Sequence, residues 1–175
     1  ASFLIVAALI IPNSKIKIEN VLYNNTRIGF INLLIKMGAN IKISNVRKNG
    51  FEKVCNIKVQ YTPGIKGATV QGDEIVEIID EVPILSILAT QVNGSVEIKD
   101  AGELRVKESD RVHAICANLA QFGADVIEND HGFVIKGGKK LHNTTINHFN
   151  DHRIAMSMEI LQLLLTKKMT YNFKD

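Results

Sequence analysis

The sequence predicts a mixed α/β (α+β) protein that is built from a repeated unit. In several segments apolar residues recur at the spacing of a helix, and in others they alternate with polar residues as in a half-buried strand. The order helix, strand, helix, strand, strand occurs twice, and a third copy begins near the end of the chain. Because repeats of this size are usually stacked copies of one supersecondary unit, we expect shared layers of helix and sheet.

The first copy of the unit lies at the beginning of the chain. Its second helix follows Asn25 or Thr26, either of which can act as an N-cap, and it ends at Gly38. The expected apolar face of that helix consists of Ile28, Ile31, Leu34 and Ile35. In order, the predicted elements are a helix over 3–11, a strand over 13–21, this second helix, and strands over 40–44 and 54–60.

The second copy follows the same pattern. Its first strand, "NGSVEIKDA", echoes "NSKIKIENV" of the first copy, and both second helices end in Gly-Ala. In order, it has a helix over 82–90, a strand over 93–101, a helix that ends at Gly123, and strands over 125–130 and 131–137. The third copy begins with a helix over 153–165 and runs into a strand over 169–173. The segment "QYTPGIKG", residues 60–67, is the best candidate for a linker, because it contains a proline and two glycines.

Composition narrows the class of protein. With 46% hydrophobic and 22% charged residues among 175, the chain is typical of a globular protein and long enough to bury a core. The net charge of +3 is too mild to indicate nucleic acid or a membrane surface as a partner. The two cysteines, Cys55 and Cys116, lie in apolar patterns, so we expect buried free thiols and a cytoplasmic location.

The beginning of the chain is apolar. The run "ASFLIVAALIIP" is too short to cross a bilayer and lacks the basic residues of a signal peptide. It also starts without methionine and within a helical pattern, so we expect the chain to be a fragment.

The segment "ELRVKESDR", residues 103–111, is rich in charge. A helix that begins after residue 107 would place Lys107, Glu108 and Arg111 on one face of its first turn. Cations are unusual there because the N-terminus of a helix is already positive, unless an anion is bound among them. Two interpretations remain at this point: a solvated turn in which Glu108 neutralises Arg111, or an anion site that contains an acid.

Other helix starts carry similar residues. Asn150 or Asp151 can cap the helix that holds Arg153 in its first turn, and Asp80 can cap the helix that contains Pro83. If the repeated units lie parallel, their helix starts converge on one face. That face would hold Arg27, Asp80, Lys107, Glu108, Arg111 and Arg153. Such a set suits a phosphorylated acid as ligand.

These motifs resemble one family end to end. "IIDEVPILSILAT", "AGELRVKESDR", "LAQFGADV" and "NDHRIAMS" together are similar to the 5-enolpyruvylshikimate-3-phosphate synthase family. The resemblance implies an enolpyruvyl-transferase-like fold, in which two domains of repeated βαβαββ units face a cleft. It also implies parts of two domains in this chain: residues 1–62 as the C-terminal part of one, and residues 63–175 as part of the second.

The resemblance implies an activity as well. The family transfers the enolpyruvyl group of phosphoenolpyruvate to the 5-hydroxyl of shikimate 3-phosphate, releases phosphate, and needs no cofactor or metal. Asp80 would bind shikimate 3-phosphate and take the proton from its hydroxyl, and Glu108 would protonate the methylene carbon of phosphoenolpyruvate. Lys107 would contact shikimate 3-phosphate, while Arg111 and Arg153 would hold phosphoenolpyruvate.

Glu103 is added to the substrate-binding set, although some members of the family carry Asn at this position. Other residues of the family's site lie outside these 175 residues. We therefore expect that the remainder of the polypeptide is needed to complete the cleft, and that this chain alone is inactive.

Two alternatives are open on the sequence. The related UDP-N-acetylglucosamine enolpyruvyl transferase uses the same donor but places a reactive cysteine in a mobile loop, and neither Cys55 nor Cys116 is in such a loop. The second alternative is a non-catalytic module that binds a phosphate-bearing ligand. Metal binding by His148 and His152 is disfavoured, because no cysteine lies near them.

Overall fold

The computed structural model describes residues 1–24 and 28–166. It confirms every predicted element of the first copy, although the strand predicted over 40–44 extends to Asn49. In order, these are α1 (Ser2–Ile10), β1 (Lys15–Leu22), α2 (Gly29–Lys36), β2 (Ile41–Asn49) and β3 (Glu52–Gln60). Both N-cap candidates of α2, Asn25 and Thr26, lie outside the described residues, as does Arg27.

The second copy is also confirmed, with additions. It consists of β4 (Lys66–Val70), α3 (Asp73–Ile78), α4 (Val82–Ala89), β5 (Asn93–Ile98), a 3-10 helix (Gly102–Val106), α5 (Arg111–Gln121), β6 (Asp125–Asn129) and β7 (Gly132–Lys136). Helix α6 (His152–Thr166) opens the third copy, and the strand predicted over 169–173 lies outside the described residues. The sequence patterns did not predict β4 or α3, which are short. Residues 60–67 are a linker only in part, because they include the end of β3 and the start of β4.

The two sheets share one topology. The first sheet has the strand order β1-β3-β2, and the second has β4-β5-β7-β6, so β5-β7-β6 repeats the first sheet. All three strands pair antiparallel in both copies, and β4 adds a parallel edge strand beside β5. The β2–β3 hairpin turns at Gly50-Phe51, between the paired residues Asn49 and Glu52, and Gly50 has φ +63° as this tight turn requires. If α3 and α4 are taken together as one crossover, the second copy has the order β, α, β, α, β, β.

Apolar helices form the centre of the molecule. Every residue of α4 is buried, and α4 contacts α1, α5 and α6. This arrangement brings the starts of α4, α5 and α6 to the same region. Buried side chains on both sides of residue 62 belong to one hydrophobic cluster, and the domain boundary at that residue stays a prediction.

One predicted core position is wrong. Ile35 is 43% exposed, whereas Ile31 and Leu34 of the same helix are buried. Helix α2 contacts β2 and α3 through one face, and Ile35 lies on the flank that faces solvent.

Candidate active site

The charged segment before α5 is organised by an N-cap. Helix α5 begins at Arg111, and the Oδ1 atom of Asp110 accepts a hydrogen bond of 3.0 Å from the backbone N–H of His113. The prediction that Lys107 and Glu108 lie in the first turn of the helix is therefore wrong. Both precede the helix, because residues 102–106 form a 3-10 helix and Lys107 is extended.

Arg111 is the central cation of the site. Its side chain is only 1% exposed, and the side chain of its partner Asp151 is fully buried. The Nε atom of Arg111 donates to Oδ2 of Asp151 at 2.7 Å, and the hydroxyl of Ser109 donates to the same oxygen at 3.2 Å. A buried guanidinium with a fixed carboxylate partner is held in one orientation.

The buried position of Asp151 affects its protonation. Desolvation alone would raise the pKa of this carboxyl, but the hydrogen bond and the charge of Arg111 oppose that effect. The backbone N–H groups of Arg153 and Ile154 also donate to Oδ1, at 2.9 and 3.4 Å. Together they hold the pKa of Asp151 below its ordinary value of 3.8.

The same two N–H bonds make Asp151 the N-cap of α6. Of the two residues that the sequence left open for this cap, Asp151 is confirmed, and Asn150 lies in the preceding turn. Arg153 is therefore in the first turn of α6, as predicted. Its side chain is 26% exposed, so it remains accessible from solvent.

Asp80 lies between the two arginines. Its Oδ1 atom accepts from Nη1 of Arg111 at 3.4 Å, and its Oδ2 atom accepts from Nη2 of Arg153 at 3.1 Å. The backbone carbonyl of Asp80 accepts a further bond of 2.9 Å from Nη1 of Arg153. The prediction that Asp80 caps α4 is wrong: Glu81 occupies the N-cap position without a side-chain bond, and Asp80 serves the arginines instead.

The two acids on the charged segment have different partners. Glu108 accepts from Nη2 of Arg111 at 2.5 Å, while its side chain stays 52% exposed. Glu103 is paired with Lys107 across one turn. Every cation of the site is thus matched by a carboxylate, and a bound anion must compete with these carboxylates for the guanidinium and ammonium groups.

A cleft opens beside these charges. It has a volume of about 440 Å³, and Asp80, Glu81 and Arg153 line it together with residues of α1, β1 and α3. Burial raises the pKa of Glu81 above its ordinary value of 4.5, with Arg153 opposing the rise and Asp80 adding to it. Glu81 is half-buried at the wall of the cleft.

Arg105 fixes the charged segment through hydrogen bonds to neighbouring elements. Its Nε and Nη2 atoms donate to the backbone carbonyls of Asp130 and Asn129, each at 2.7 Å. Its Nη1 atom donates to Asp110 at 2.8 Å and to Glu128 at 3.0 Å. Arg105 therefore ties the segment that carries Lys107 and Glu108 to the β6–β7 hairpin.

The structure brings four predicted site residues into one network of contacts: Asp80, Glu108, Arg111 and Arg153. Glu103 and Lys107 pair with each other just before it, and Arg27 lies outside the described residues. Sequence reasoning missed the contact of Asp151 with Arg111, and it missed Ser109 altogether. The sequence indicated Asp151 as a possible N-cap of the helix that holds Arg153. It could not indicate the contact with Arg111, because no spacing rule links residues that are forty positions apart.

The network can bind an anion and move protons. Two guanidinium groups offer paired donors for a carboxylate or phosphate, and the half-exposed carboxyl groups of Asp80 and Glu108 can exchange protons with a ligand. Within residues 1–24 and 28–166, no three His, Cys, Asp or Glu side chains are grouped so that they could hold a metal ion. No helix in that part of the chain has the length and apolar character to cross a membrane.

Known proteins resemble this chain over nearly all its length. The family model of EPSP synthase (3-phosphoshikimate 1-carboxyvinyltransferase) matches residues 1–172. A protein of Oceanobacillus iheyensis called 3-phosphoshikimate 1-carboxyvinyltransferase is 45% identical over 95% of this chain, and one of the same name from Petrotoga mobilis is 48% identical over 94%. The solved structure of an EPSP synthase from Acinetobacter baumannii superposes with a TM-score of 0.89 at 33% identity, over 94% of this chain and 39% of that one. The chain spans 38% of the length of both sequence relatives.

Proposed function

The chain belongs to the EPSP synthase family, and from that premise we propose that it carries part of the active site of a 3-phosphoshikimate 1-carboxyvinyltransferase. In this reaction the 5-hydroxyl oxygen of shikimate 3-phosphate bonds to C2 of phosphoenolpyruvate, and the methylene carbon C3 gains a proton. Phosphate then leaves C2, and C3 loses a proton as the double bond re-forms. The net result is an enolpyruvyl ether and inorganic phosphate.

The observation that carries this proposal is the position of Asp80 between Arg111 and Arg153. Phosphoenolpyruvate has a carboxylate and a phosphate, so it needs two cations at fixed separation. Arg111 is immobilised by Asp151, and Arg153 is fixed at the start of α6. We assign the carboxylate and phosphate of phosphoenolpyruvate to this arginine pair.

The two exposed acids divide the proton transfers. Asp80 binds the shikimate 5-hydroxyl and takes its proton, because its carboxylate reaches the cleft beside Arg153. Glu108 gives a proton to C3 of phosphoenolpyruvate, because it lies against Arg111, where the donor substrate would bind. Binding of phosphoenolpyruvate to Arg111 would displace Glu108 from the guanidinium and free it for this role.

Glu103 and Lys107 form the shikimate 3-phosphate side of the site. Lys107 would exchange its partner Glu103 for the 3-phosphate, and Glu103 would then be available to a hydroxyl of the ring. The remaining contacts to both substrates would come from polypeptide outside these 175 residues. The reaction as proposed uses no cofactor, and the buried free thiols support a cytoplasmic enzyme.

Both alternative readings are less well supported. The family match favours the shikimate enzyme over its UDP-N-acetylglucosamine relative, and both cysteines are buried free thiols. A module that only binds phosphate would not require Asp80 and Glu108 to be half-exposed within the arginine network.

The test is turnover by a complete polypeptide. The 175 residues would replace the matching segment of the Oceanobacillus iheyensis relative, and phosphate release would be followed with both substrates. We expect activity, and we expect Asp80→Asn and Glu108→Gln each to lower kcat by about 10²–10⁴-fold. The exposed residue Asn143, whose side chain accepts a hydrogen bond from Gln162 of α6, supplies the control Asn143→Ala with unchanged kcat.

The same polypeptide can also refute the proposal. A folded chimaera that binds both substrates without releasing phosphate would contradict it, as would full activity in both acid variants. The unmodified 175-residue chain should show no turnover, because half of the site is absent from it.

A further inference from the structure

We propose that Asn118 is a positioning residue for the site, because it fixes the turn that delivers Asp151 to Arg111 and starts α6. This inference deepens the proposed function, on which it rests for the identity of the ligand. The geometric part does not depend on that identity. The hydrogen bonds of Asn118 go to Ala114 and Asn147, and it acts on the network through the turn formed by residues 147–150.

Asn118 uses both donor hydrogens of its amide and its acceptor oxygen. It lies on α5 and is 1% exposed. Its Nδ2 atom donates to the carbonyls of Ala114 and Asn147, each at 2.9 Å, and its Oδ1 atom accepts from the backbone N–H of Asn147 at 3.0 Å. The amide therefore grips both polar atoms of one backbone position.

The gripped position precedes a turn that the chain would not adopt by itself. Phe149 and Asn150 both have left-handed backbone conformations, with φ of +51° and +54°. Side chains other than glycine disfavour this region, and two such residues in succession need outside support. Support comes from the Asn118 clamp, from a 3.0 Å bond between Phe149 N–H and Oδ1 of Asn147, and from the edge-to-face contact of Phe149 with His113.

Asn118 and Arg111 lie on the same side of α5. They are seven residues apart, which is about two helical turns. Their partners, Asn147 and Asp151, are four residues apart, on either side of the turn. Helix α5 thus holds the segment before α6 at two points, and the second point is the buried pair that orients Arg111 and caps the helix of Arg153.

An amide at position 118 has no evident purpose in the core alone. Its neighbours on α5, Ile115 and Leu119, are fully buried apolar residues, and leucine would pack at this position with better helix propensity. The amide of Asn118 is explained by the backbone of Asn147. Without it, the carbonyl and N–H of Asn147 would lose their hydrogen-bond partner on α5. If the clamp is removed, the turn should relax to ordinary φ values and shift Asp151.

The test uses three variants and two controls in the 175-residue chain. Asn118→Asp keeps the shape but turns a donor into an acceptor opposite two carbonyls, Asn118→Ala removes the clamp, and Asn147→Ala removes only the exposed bond to Phe149. Asn143→Ala removes a different amide bond between the same segment and α6. Ile57→Val lowers stability in the other sheet, far along the chain from the turn.

The main readout is the Nε–Hε signal of Arg111 in nitrogen-edited NMR spectra. We expect exchange of this hydrogen with water to be about tenfold faster in Asn118→Ala, with a smaller effect in Asn147→Ala, and no change in either control. In the chimaeric enzyme, KM for phosphoenolpyruvate should rise about tenfold in Asn118→Ala, a penalty that Ile57→Val should not reproduce.

The outcomes are decisive in both directions. An unchanged Arg111 signal in folded Asn118→Ala and Asn147→Ala would overturn the inference, as would equal effects in Ile57→Val. If Asn118→Asp does not fold, the two alanine variants decide by the same criterion. Because the Arg111 signal needs no substrate, it can support Asn118 as a positioning residue even if the chimaera shows no turnover, so failure of the proposed function is separately visible.

Discussion

Arg111 and Asp151 form a buried ion pair in which Nε donates to Oδ2 at 2.7 Å, and neither side chain is more than 1% exposed. The pair joins the start of α5 to the start of α6 across forty residues of sequence. Removal of either partner breaks a buried charge pair, and this loss costs more stability than the intact pair contributes. The pair is therefore both a folding constraint and the support of the proposed anion site.

We expect Asp151→Asn to destabilise the chain by about 3–5 kcal/mol, because Arg111 would face an amide donor in place of a carboxylate. Urea denaturation would measure this change. The matched control is Lys36→Ala, which breaks the exposed pair of Lys36 and Glu74 and should cost less than about 1 kcal/mol. A loss below about 1 kcal/mol for Asp151→Asn would mean that Arg111 finds another buried partner.

The same pair predicts a pH dependence. The folded-state pKa of Asp151 is lower than its ordinary value, so the folded chain binds this proton less readily than the unfolded chain. Its contribution to stability is therefore present above about pH 4 and is lost as the pH falls through the lowered pKa. Urea midpoints should show the gap between wild type and Asp151→Asn closing in acid. A gap that stays constant down to about pH 2 would contradict this assignment.

Asp80 competes with any anion for both arginines. We expect Asp80→Asn to bind phosphoenolpyruvate about two- to tenfold more tightly, although it should be defective in turnover, because a competing negative charge is removed from Arg111 and Arg153. Isothermal titration of the chimaeric enzyme would measure the affinity. Glu97→Gln, a change on β5 that leaves the network intact, serves as the control. Weaker binding in Asp80→Asn would show that Asp80 orients the arginines more than it competes with the ligand.

Glu159 on α6 is a polar group in an apolar setting. It is 6% exposed, and its Oε2 atom has no hydrogen-bond partner among the residues that the structure describes. Burial raises the pKa of this carboxyl above its ordinary value of 4.5, and the opposing effect of His148 is smaller. Between these two pKa values the folded chain retains a proton that the unfolded chain releases, so stability falls as the pH rises through that window.

We therefore expect Glu159→Met to stabilise the chain by about 1–2 kcal/mol at neutral pH, with the gain shrinking towards pH 4. Thermal unfolding at several pH values would measure it. Glu52→Met, an exposed change in β3, should alter stability by less than about 0.5 kcal/mol. A loss of stability in Glu159→Met at neutral pH would mean that the carboxylate has a partner when the chain is in solution.

The cysteines should be unreactive in the folded chain. Burial, with a smaller contribution from Glu128, raises the pKa of the Cys116 thiol to about 12, and burial also raises the pKa of Cys55. Because the thiolate is the reactive form, Ellman's reagent should label neither residue at neutral pH and both after denaturation. Rapid labelling of the native chain would indicate that the helix or strand around that cysteine opens locally.

Most of the secondary structure was predictable, and the exceptions share a cause. Helix α4 and strands β1 and β5 are long enough for the spacing of their apolar residues to distinguish a helix from a strand. Strand β4 and helix α3 have five and six residues, which is too short for a period to be recognised without a repeated counterpart. Strands β6 and β7 are equally short, but they repeat β2 and β3 of the first copy. The start of α5 was misplaced because the 3-10 helix before it supplies charged residues at helix-like spacing.

The candidate site was predicted as a set of residues but not as a set of contacts. Asp80, Glu108, Arg111 and Arg153 were identified from charges at helix starts and from family motifs, and the structure brings all four together. Both Asp80 and Asp151 were predicted as N-caps. Asp151 does cap α6, whereas Asp80 does not cap α4.

The sequence by itself determined the order of the elements, the repeat and the identities of the charged residues, because backbone periodicity and capping act over a few neighbouring positions. The tertiary structure alone decided which charges meet. Arg111 with Asp151, and Asn118 with Asn147, join positions forty and twenty-nine residues apart. Such contacts depend on how α4, α5 and α6 pack, and this packing follows from the burial of whole helix faces, which no spacing of single charged residues records.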